Sequence, residues 1–454
     1  MNDRHPDRPA ALRRGLALLT LCLAVLVAQV DMAVVNLGTR PIGEHFRAGV
    51  TALQWVVDGY NLAYAVLLLT GGLLADLYGR RRIFMLGAAV FTGATVLCAA
   101  ATSVWMLVAG RALAGLGAAL LMPASLAIVR VVWQDARERG RVLGIWAACN
   151  GLAMAIGAPL GGVLIHRFGW RGIFLAVLPF SLAALLLARP SIPESSDPRG
   201  RSLDAGAQLA GGLALGALAF AAIESHEAPR VAIAALAVAL AAFVLFVRIE
   251  GRRGATALVP LDLFGLPAFR AAMIATAGMT FGMYGLLFLL PLHWQQAGLL
   301  DATRAGLALI PMALLFVALS PFSGRIVARL GARAVSCAGV AVIAGGLLLV
   351  ALGAGHASIA WAEAGLALAG LGMGLATGPL MAEAVGAVDA ARSGTAGSLI
   401  NVARIAGATI GVAALGAFYA MAGGGAAGLR CAMLAGAAVQ AGCAASAWRT
   451  ARPR

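Results

Sequence analysis

The chain has 454 residues, of which 61% are hydrophobic and only 12% are charged, and its mean hydropathy is +0.90. A soluble domain carries about 25% charged residues, so this composition excludes an ordinary soluble protein and indicates many membrane spans. The formal net charge of +15 is carried by arginines scattered between apolar runs. That distribution argues against a compact nucleic-acid-binding module and is typical of membrane topology.

Apolar runs of about 20 residues are long enough to cross a bilayer as helices. We predict fourteen such spans, bounded by charges or by Pro and Gly clusters: 15–37, 52–75, 83–101, 105–129, 142–165, 172–188, 205–223, 231–247, 269–291, 304–324, 334–353, 359–382, 394–420 and 429–447. None of them alternates as a barrel strand does, which predicts an all-α polytopic membrane protein.

The arginines predict how these spans are oriented. With the N-terminus in the cytoplasm, 23 of the 34 arginines lie in or beside cytoplasmic segments and 7 lie on the opposite side. Cytoplasmic loops carry the positive excess in membrane proteins. We therefore expect both termini to be cytoplasmic.

An internal repeat relates two distant segments of the chain. The segment "GGLLADLYGRR" at 71–81 lies over "SGRIVARLGAR" at 323–333 when the chain is shifted by 252 residues. The matched pairs are Gly72 with Gly324, Gly79 with Gly331, and Arg81 with Arg333. Such a parallel repeat is typical of transporters whose halves are related by an axis along the membrane normal, with the substrate site between them.

The repeat predicts five segments along the chain. They are an N-terminal six-helix half at 1–189, a cytoplasmic linker at 190–204, an inserted transmembrane hairpin at 205–247, a second cytoplasmic linker at 248–268 and a C-terminal six-helix half at 269–454. The first linker is rich in Pro, Ser and charge, as exposed connections are.

The stretch at 71–81 resembles the signature loop of the major facilitator superfamily, G-x-L-a-D-r-x-G-r-r. Other stretches resemble its fourteen-helix drug:proton antiporter branch of the EmrB/QacA type: "DMAVVN" at 31–36, "WVVDGYNL" at 55–62 and "GTAGSLINVARIAGATIGVAALG" at 394–416. The likeness covers nearly the whole chain. It implies the major facilitator fold and a multidrug efflux protein of the bacterial cytoplasmic (inner) membrane that confers antibiotic resistance. It also implies a proton gradient as the energy source and no cofactor.

In the resembled family the signature loop is a conformational latch between the halves. The latch positions here are Gly72, Asp76, Gly79, Arg80 and Arg81. Asp76 and Arg80 are one helical turn apart, a spacing at which side chains can pair. The resemblance implies that Asp76 faces a helix start near Ser393 and Gly394. Positive-inside anchoring alone would account for the arginines but not for Asp76 or the glycines.

Three ionisable residues within spans are candidates for proton coupling. Insertion of such a residue costs about 2.5–3.5 kcal/mol, which calls for a partner or a function. Helical rise places Asp31, Asp58 and Arg111 at a common depth of about 9–11 Å below the outer surface, where they are expected to form one titratable cluster. The resemblance ties these positions to proton coupling. The alternative is a static ion pair that fixes helix packing.

The stretch "GLAMAIGAPLGG" at 151–162 resembles the antiporter signature that ends G-P-x-x-G-G. Gly157, Gly161 and Gly162 fit the signature, whereas Pro159 stands one place late. Small residues allow close helix approach and a proline bends a helix. The motif favours export over import, although ordinary helix packing also uses small residues.

Arg404 lies near the midplane of the thirteenth span, with Asn401 one turn before it, and Asn61 follows Asp58 by one turn. We expect these three residues to face a cavity, where Arg404 could accept an anionic substrate group. The sequence has no nucleophile–base pair, metal-ligand spacing or phosphate loop, which argues against an enzyme. It predicts a proton-driven exporter whose partners are small amphipathic substrates, protons and the lipid bilayer. A symporter that imports a nutrient or siderophore is the alternative.

Overall fold

The computed structural model describes residues 8–196, 204–225, 228–253, 259–356, 359–388 and 392–450. Regular structure in these ranges is helical, as the composition predicts. The first part of the chain forms α1 (Arg8–Phe46), α2 (Val50–Tyr78), α3 (Arg80–Ala99), α4 (Val104–Val132), α5 (Ala136–Phe168), α6 (Arg171–Ser191), α7 (Ala205–Glu224) and α8 (Pro229–Arg253).

The described residues of the second part form eight further α-helices and two short 3₁₀ turns. The helices are α9 (Pro267–Gln296), α10 (Ala302–Ala308), α11 (Ile310–Leu319), α12 (Ser323–Leu330), α13 (Ala332–Gly353), α14 (Ala360–Gly386), α15 (Ser393–Met421) and α16 (Gly425–Thr450). The 3₁₀ turns are Leu261–Gly265 and Ser320–Phe322.

The number of membrane spans is lower than the fourteen expected. Within the described residues, twelve helices are long and apolar enough to cross a membrane, with α10 to α12 counted as one. Helix α2 makes a thirteenth if its two segments, Val50–Leu68 and Thr70–Tyr78, which meet at 51°, form one span. Both helices of the expected hairpin, α7 and α8, are among the twelve. The 33-residue α5 is not, so a count of fourteen is not confirmed.

The expected uninterrupted span at 304–324 is broken in the structure. Pro311 and Pro321 lie in the first turns of α11 and of the following 3₁₀ turn, where their missing N–H groups remove helix hydrogen bonds. The prolines therefore divide this span into the short helices α10, α11 and α12.

Packing follows the order of the repeat. In the first half α1 packs on α5 and α6, and α4 packs between α2 and α3. In the second half α9 packs on α15 and α16, and α13 packs on α14. Helix α7 packs on α8 and also on α2 and α15, one helix from each half. The segment boundaries given above stay a prediction.

The two copies of the repeated loop share a backbone feature. Gly79 separates α2 from α3 with a φ of 109°, and Gly331 separates α12 from α13 with a φ of 82°. Residues with a side chain rarely adopt a positive φ of this size, which explains why both copies have glycine there. The sequence repeat is therefore also a repeat of local structure.

Candidate functional site

The buried charges of the first half form a pair between α1 and α4. The Arg111 guanidinium donates to the Asp31 carboxylate, and both side chains are about 2% exposed. Arg111 also donates from Nε to the Val56 carbonyl of α2 at 3.2 Å. The pair therefore ties α1, α2 and α4 together and gives each buried charge a partner, as burial of charge requires.

Asp58 does not lie on the face of α2 that Arg111 contacts. Gln54, Asp58, Asn61 and Ala65 follow the i, i+4, i+7, i+11 spacing of one helix face. Gln54 on this face donates to the carbonyls of Val412 and Ala413 in α15, at 3.2 and 2.9 Å. Asp58 therefore faces the second half of the molecule.

Arg111 approaches α2 from the opposite side. It contacts the carbonyl of Val56 and lies 4.5 Å from the ring centroid of Tyr60. Residues 56 and 60 are each two positions from Asp58, which is about half a turn around the helix. The expected three-residue cluster is thus divided into an Asp31–Arg111 pair and a separate Asp58, because depth alone does not fix the direction in which a side chain points.

Asp58 is fully buried, and among the described residues Asn61 is the polar neighbour of its carboxyl group, which has no described ion-pair partner. Both of its carboxylate oxygens are unsatisfied, and so are the polar atoms of the neighbouring Asn61. Thr409 of α15 is also buried with an unsatisfied hydroxyl. Since α2 and α15 run antiparallel and Gln54 bonds Ala413, the residue opposite Asp58 is close to Thr409. Asp58 and Asn61 on α2 and Thr409 on α15 are thus buried polar residues on the two helices that meet between the halves.

Tyrosines connect the buried ion pair to the space between the halves. Tyr60 donates to the Ala28 carbonyl at 3.2 Å, and its ring centroid is 6.0 Å from that of Tyr64. Tyr64 is near Arg404 of α15 and Tyr284 of α9. Tyr284 in turn contacts the Met32 sulfur of α1 at 3.5 Å. Helices of both halves therefore meet at these tyrosines.

Hydrogen bonds between the halves concentrate at the end of the molecule where α1 ends and α2 begins, which we name the closed end. Besides Gln54, Gln295 of α9 donates to the Leu37 carbonyl of α1 at 3.3 Å, and Arg40 donates to the Gln295 carbonyl. At the opposite end, the described ion pairs join elements on the same side of the repeat, such as Arg14 with Glu138 and Arg392 with Asp262. The structure is therefore closed at one end.

The antiporter-like glycines also lie at helix contacts near the closed end. A Cβ atom added at Gly157 would be 2.7 Å from the Ala33 Cβ of α1, and one at Gly161 would be 3.1 Å from the Val34 Cβ. Gly162 faces α10, where Thr303 donates to its carbonyl at 3.1 Å. Pro159 lies within α5 among them. The motif thus permits α5 to approach one helix of each half.

The signature loop contacts the segment that follows α6. Asp76 pairs with Arg80 at 2.9 Å, as the spacing predicts. The backbone N–H of Arg81 donates to Glu194 at 3.1 Å, and its guanidinium is 3.7 Å from the same carboxylate. A Cβ on Gly72 would contact Pro123 of α4 at 3.3 Å. These contacts join residues of the first half to one another and to the linker that follows it. The latch to the helix start near Ser393, whose side chain is not among those described, stays a prediction.

A cavity of about 480 Å³ lies between the α7–α8 hairpin and the α2–α15 seam. Its walls are almost entirely apolar and include Ala65, Phe243, Met273 and Val402, with Gln208 as a polar exception. The Gln208 amide donates to the Val66 carbonyl and accepts from Thr70, which fixes α7 to α2. The expected cavity residues Asn61, Asn401 and Arg404 do not line this cavity.

Two buried glutamines at the contact between the halves were not predicted from the sequence. Gln54 is 1% exposed and Gln295 is 2% exposed, and both donate hydrogen bonds between the halves at the closed end. Gln54 precedes Asp58 by one turn, and the polar stripe at 54, 58 and 61 was a signal that could have revealed it. Gln295 stands near the end of an apolar run and had no such signal.

Residues 19–412 match the model of the Major Facilitator Superfamily. The chain therefore belongs to this family of membrane transporters, and it is a multi-pass membrane protein.

Relatives of the chain include a methylenomycin A resistance protein of Bacillus subtilis. The two sequences are 38% identical over 330 residues, which is 70% of each chain. The multidrug resistance protein Stp of Mycobacterium tuberculosis is 34% identical over 70% of this chain and 60% of its own. The multidrug efflux pump LfrA of Mycolicibacterium smegmatis is 34% identical over 66% of this chain and 60% of its own. The alignments thus span about 60–70% of these relatives.

Two solved structures have the same fold at low sequence identity. The POT family transporter PepTSo is 15% identical with a TM-score of 0.73, over 97% of this chain and 98% of its own. A bacterial homolog of the human lysosomal transporter Spinster, in an inward-facing and unoccupied conformation, is 18% identical with a TM-score of 0.70, over 98% of both chains.

Proposed function

We propose that this protein exports amphipathic small molecules in exchange for protons, by alternating opening of the two ends of the space between its halves. The observation that carries the proposal is the buried Asp58, unpaired among the described atoms and placed in the α2–α15 contact between the halves. The relatives with drug efflux and resistance names support export as the direction.

The proton-bound form of Asp58 fits the closed end. An ionised carboxylate without a partner is very costly in an apolar interior, whereas a neutral carboxyl group costs much less. Loss of the proton would therefore favour separation of α2 from α15, which admits water to Asp58. Proton binding and substrate binding would then stabilise different conformations, and antiport follows from that difference.

The Asp31–Arg111 pair has a supporting role in this proposal. Each charge has its partner, and the guanidinium also binds the backbone of α2 and lies against Tyr60. The pair holds α2 in the rotation that directs Asp58 toward α15. Asp31 and Arg111 would thus assist proton coupling by positioning α2.

We also propose that α5 is a further membrane span. Arg171 at the start of α6 donates to the Ala99 and Ala101 carbonyls at 3.1 and 2.9 Å, which holds that end of α6 beside the α3–α4 connection. Helix α4 leads away from this connection over 29 residues, about 43 Å. Helix α5 must return over the same distance, which would raise the number of spans to fourteen.

The orientation of the spans completes the proposal. With cytoplasmic termini, the arginine-rich loops face the cytoplasm and the closed end faces outward. The structure would then be inward-facing, a state in which an exporter takes up its substrate from the cytoplasm. The signature loop would act as the latch when the cytoplasmic end closes.

Transport into everted membrane vesicles tests the proposal. A fluorescent amphipathic dye should accumulate in vesicles with the wild-type protein when a proton gradient is imposed, and Asp58→Asn should abolish this accumulation at equal protein level. Asp262→Asn, in an exposed ion pair with Arg392, is the matched control and should transport normally. Undiminished gradient-driven transport by Asp58→Asn would reject the proposed coupling. Proton-driven uptake of a nutrient into right-side-out vesicles would favour the symporter instead.

A further inference from the structure

Arg404 is a cation in the middle of α15 that has no counter-ion among the described residues. It lies eleven residues after the start of the helix, about 17 Å along its axis. In the described part of the chain it forms neither an ion pair nor a hydrogen bond, and its Nε is shielded from solvent without a partner. A cation at this depth costs about 2.5–3.5 kcal/mol on insertion scales, so a compensating interaction is expected in the working cycle.

Carboxylates of the protein do not supply this interaction in the described structure. Asp31 is paired with Arg111 on the far side of α2. Asp58 is not within ion-pair distance of a described cation. In the second half, Glu383 accepts a hydrogen bond from Ser336 of α13 at 3.2 Å, near the end of α14. Since the described carboxylates do not neutralise Arg404, a bound molecule or another conformation would supply the counter-charge.

The neighbours of Arg404 suit a bound anion. Tyr64 of α2 lies near Arg404, and Tyr284 of α9 lies near Tyr64. Both tyrosines have hydroxyl groups, which can donate hydrogen bonds to an acceptor oxygen. The position is between the halves and Arg404 is partly exposed there. A planar guanidinium binds carboxylates through two parallel hydrogen bonds.

We infer that Arg404, with Tyr64 and Tyr284, binds the anionic group of the transported molecule, and that the substrates include amphipathic organic acids. This inference rests on the proposed function, because it names the substrate class of the same transporter. Tyr60 lies between Arg111 and Tyr64. The Arg111 Cζ is 4.5 Å from the ring centroid of Tyr60, and this centroid is 6.0 Å from the ring centroid of Tyr64. The rings of Tyr60 and Tyr64 would thus separate a bound anion from the Asp31–Arg111 pair, which positions α2 and Asp58.

Equilibrium binding to the purified full-length protein tests the inference. The probes share one pyrene skeleton: pyrenebutyrate, its uncharged methyl ester and a cationic pyrenebutyl-trimethylammonium. The wild-type protein should bind pyrenebutyrate more tightly than the ester. Arg404→Gln should weaken pyrenebutyrate binding about 10- to 100-fold, the range for loss of a charge-assisted hydrogen-bonded pair, and should leave ester binding unchanged.

Two further variants separate recognition from folding. Arg404→Lys keeps the charge but loses the paired hydrogen bonds, so it should recover part of the affinity for pyrenebutyrate. Arg430→Gln is the matched control, because Arg430 only donates to backbone carbonyls at the end of α13. It should bind all three probes like the wild-type protein.

Transport of the cationic probe distinguishes this inference from the proposed function. If Arg404→Gln still exports the cation with a proton gradient but has lost pyrenebutyrate binding, both proposals stand. If the wild-type protein shows no preference for pyrenebutyrate over the ester, or if Arg404→Gln weakens all three probes equally, the anion site is rejected. The antiport proposal is judged separately, by gradient-driven export of the cation.

Discussion

At the scale of single residues, the two buried aspartates have opposite environments. Asp31 neutralises Arg111, and both are almost inaccessible. Removing one partner of a buried ion pair leaves the other charge uncompensated, which costs about 3–5 kcal/mol. We therefore expect Asp31→Asn to lower the unfolding temperature in detergent clearly. The exposed-pair variant Asp262→Asn should leave it unchanged, and equal melting of all three proteins would contradict the pair as a stabilising contact.

The effect of replacing Asp58 on the unfolding temperature should be the reverse of the effect of replacing Asp31. The Asp58 carboxylate has no described ion-pair partner, so Asp58→Asn removes an unfavourable group and introduces an amide of similar size. We expect the unfolding temperature of Asp58→Asn to equal or exceed that of the wild-type protein, with the largest difference at alkaline pH. There the wild-type carboxyl group loses its proton and the variant has none to lose. A large loss of stability in Asp58→Asn would show that Asp58 has a structural partner.

The sequence predicted that Asp31, Asp58 and Arg111 are buried and that Asp31 meets Arg111, but not that Asp58 points away from this pair. Position within a span gave the depth of Asp31, Asp58 and Arg111, because helical rise per residue is constant. The rotation of α2 is set by what packs on it, and Arg111 binds the Val56 carbonyl on the side away from Asp58. That information resides in tertiary contacts between distant segments, which a single sequence does not display.

At the scale of helices, the contact between α5 and α10 controls the closed end. A Cβ on Gly162 would be 2.7 Å from the Ala302 carbonyl oxygen and from the Thr303 Cα, both backbone atoms that cannot move aside alone. We expect Gly162→Ala to push α10 away from α5 and to weaken the closed end. Double electron–electron resonance can measure this with spin labels at Gly49 and Leu299, in a variant without the native cysteines. The distance between the two labels should become longer, or its distribution broader.

The control for this helix contact is another glycine in a helix. A Cβ on Gly93 of α3 meets no atom within 4 Å, so Gly93→Ala should leave the label distance unchanged. An unchanged distance in Gly162→Ala as well would show that the halves adjust without separating. Comparison of the two variants removes the general effect of adding a methyl group to a helix.

Helices were more predictable from sequence than their interruptions. Long apolar runs predicted the helices α1 to α9 and α13 to α16, since backbone groups in lipid must be satisfied within the segment. The division of 304–324 into α10, α11 and α12 was missed, although Pro311 and Pro321 mark the two breaks. In other helices, such as α4 with Pro123, a proline is accommodated without a break. The residue type alone therefore does not decide the outcome.

At the scale of the whole molecule, the described hydrogen bonds between the halves concentrate at the closed end, and closure of this end is one of two states in the proposed transport cycle. Gln54, Gln295 and Thr303 each donate a hydrogen bond across the halves at the closed end. The contact of α2 with α15 extends inward from Gln54 to Asp58, so the charge on Asp58 acts directly on this interface. A neutral Asp58 permits close packing, and a charged one requires hydration.

This arrangement predicts a pH-dependent change of shape in the full-length protein. With spin labels at Gly49 and Leu299 for the closed end and at Arg82 and Arg329 for the other end, raising the pH should lengthen the first distance and shorten the second. Deprotonation of Asp58 disfavours the closed α2–α15 contact, and the halves rock as bodies around the central space.

The Asp58→Asn variant assigns this change to one residue. Because its side chain stays neutral, both label distances should keep their acidic-pH values across the whole range. Asp262→Asn should follow the wild-type response. If Asp58→Asn responds to pH like the wild-type protein, another group controls the closed end, and the coupling between Asp58 and the α2–α15 interface is excluded.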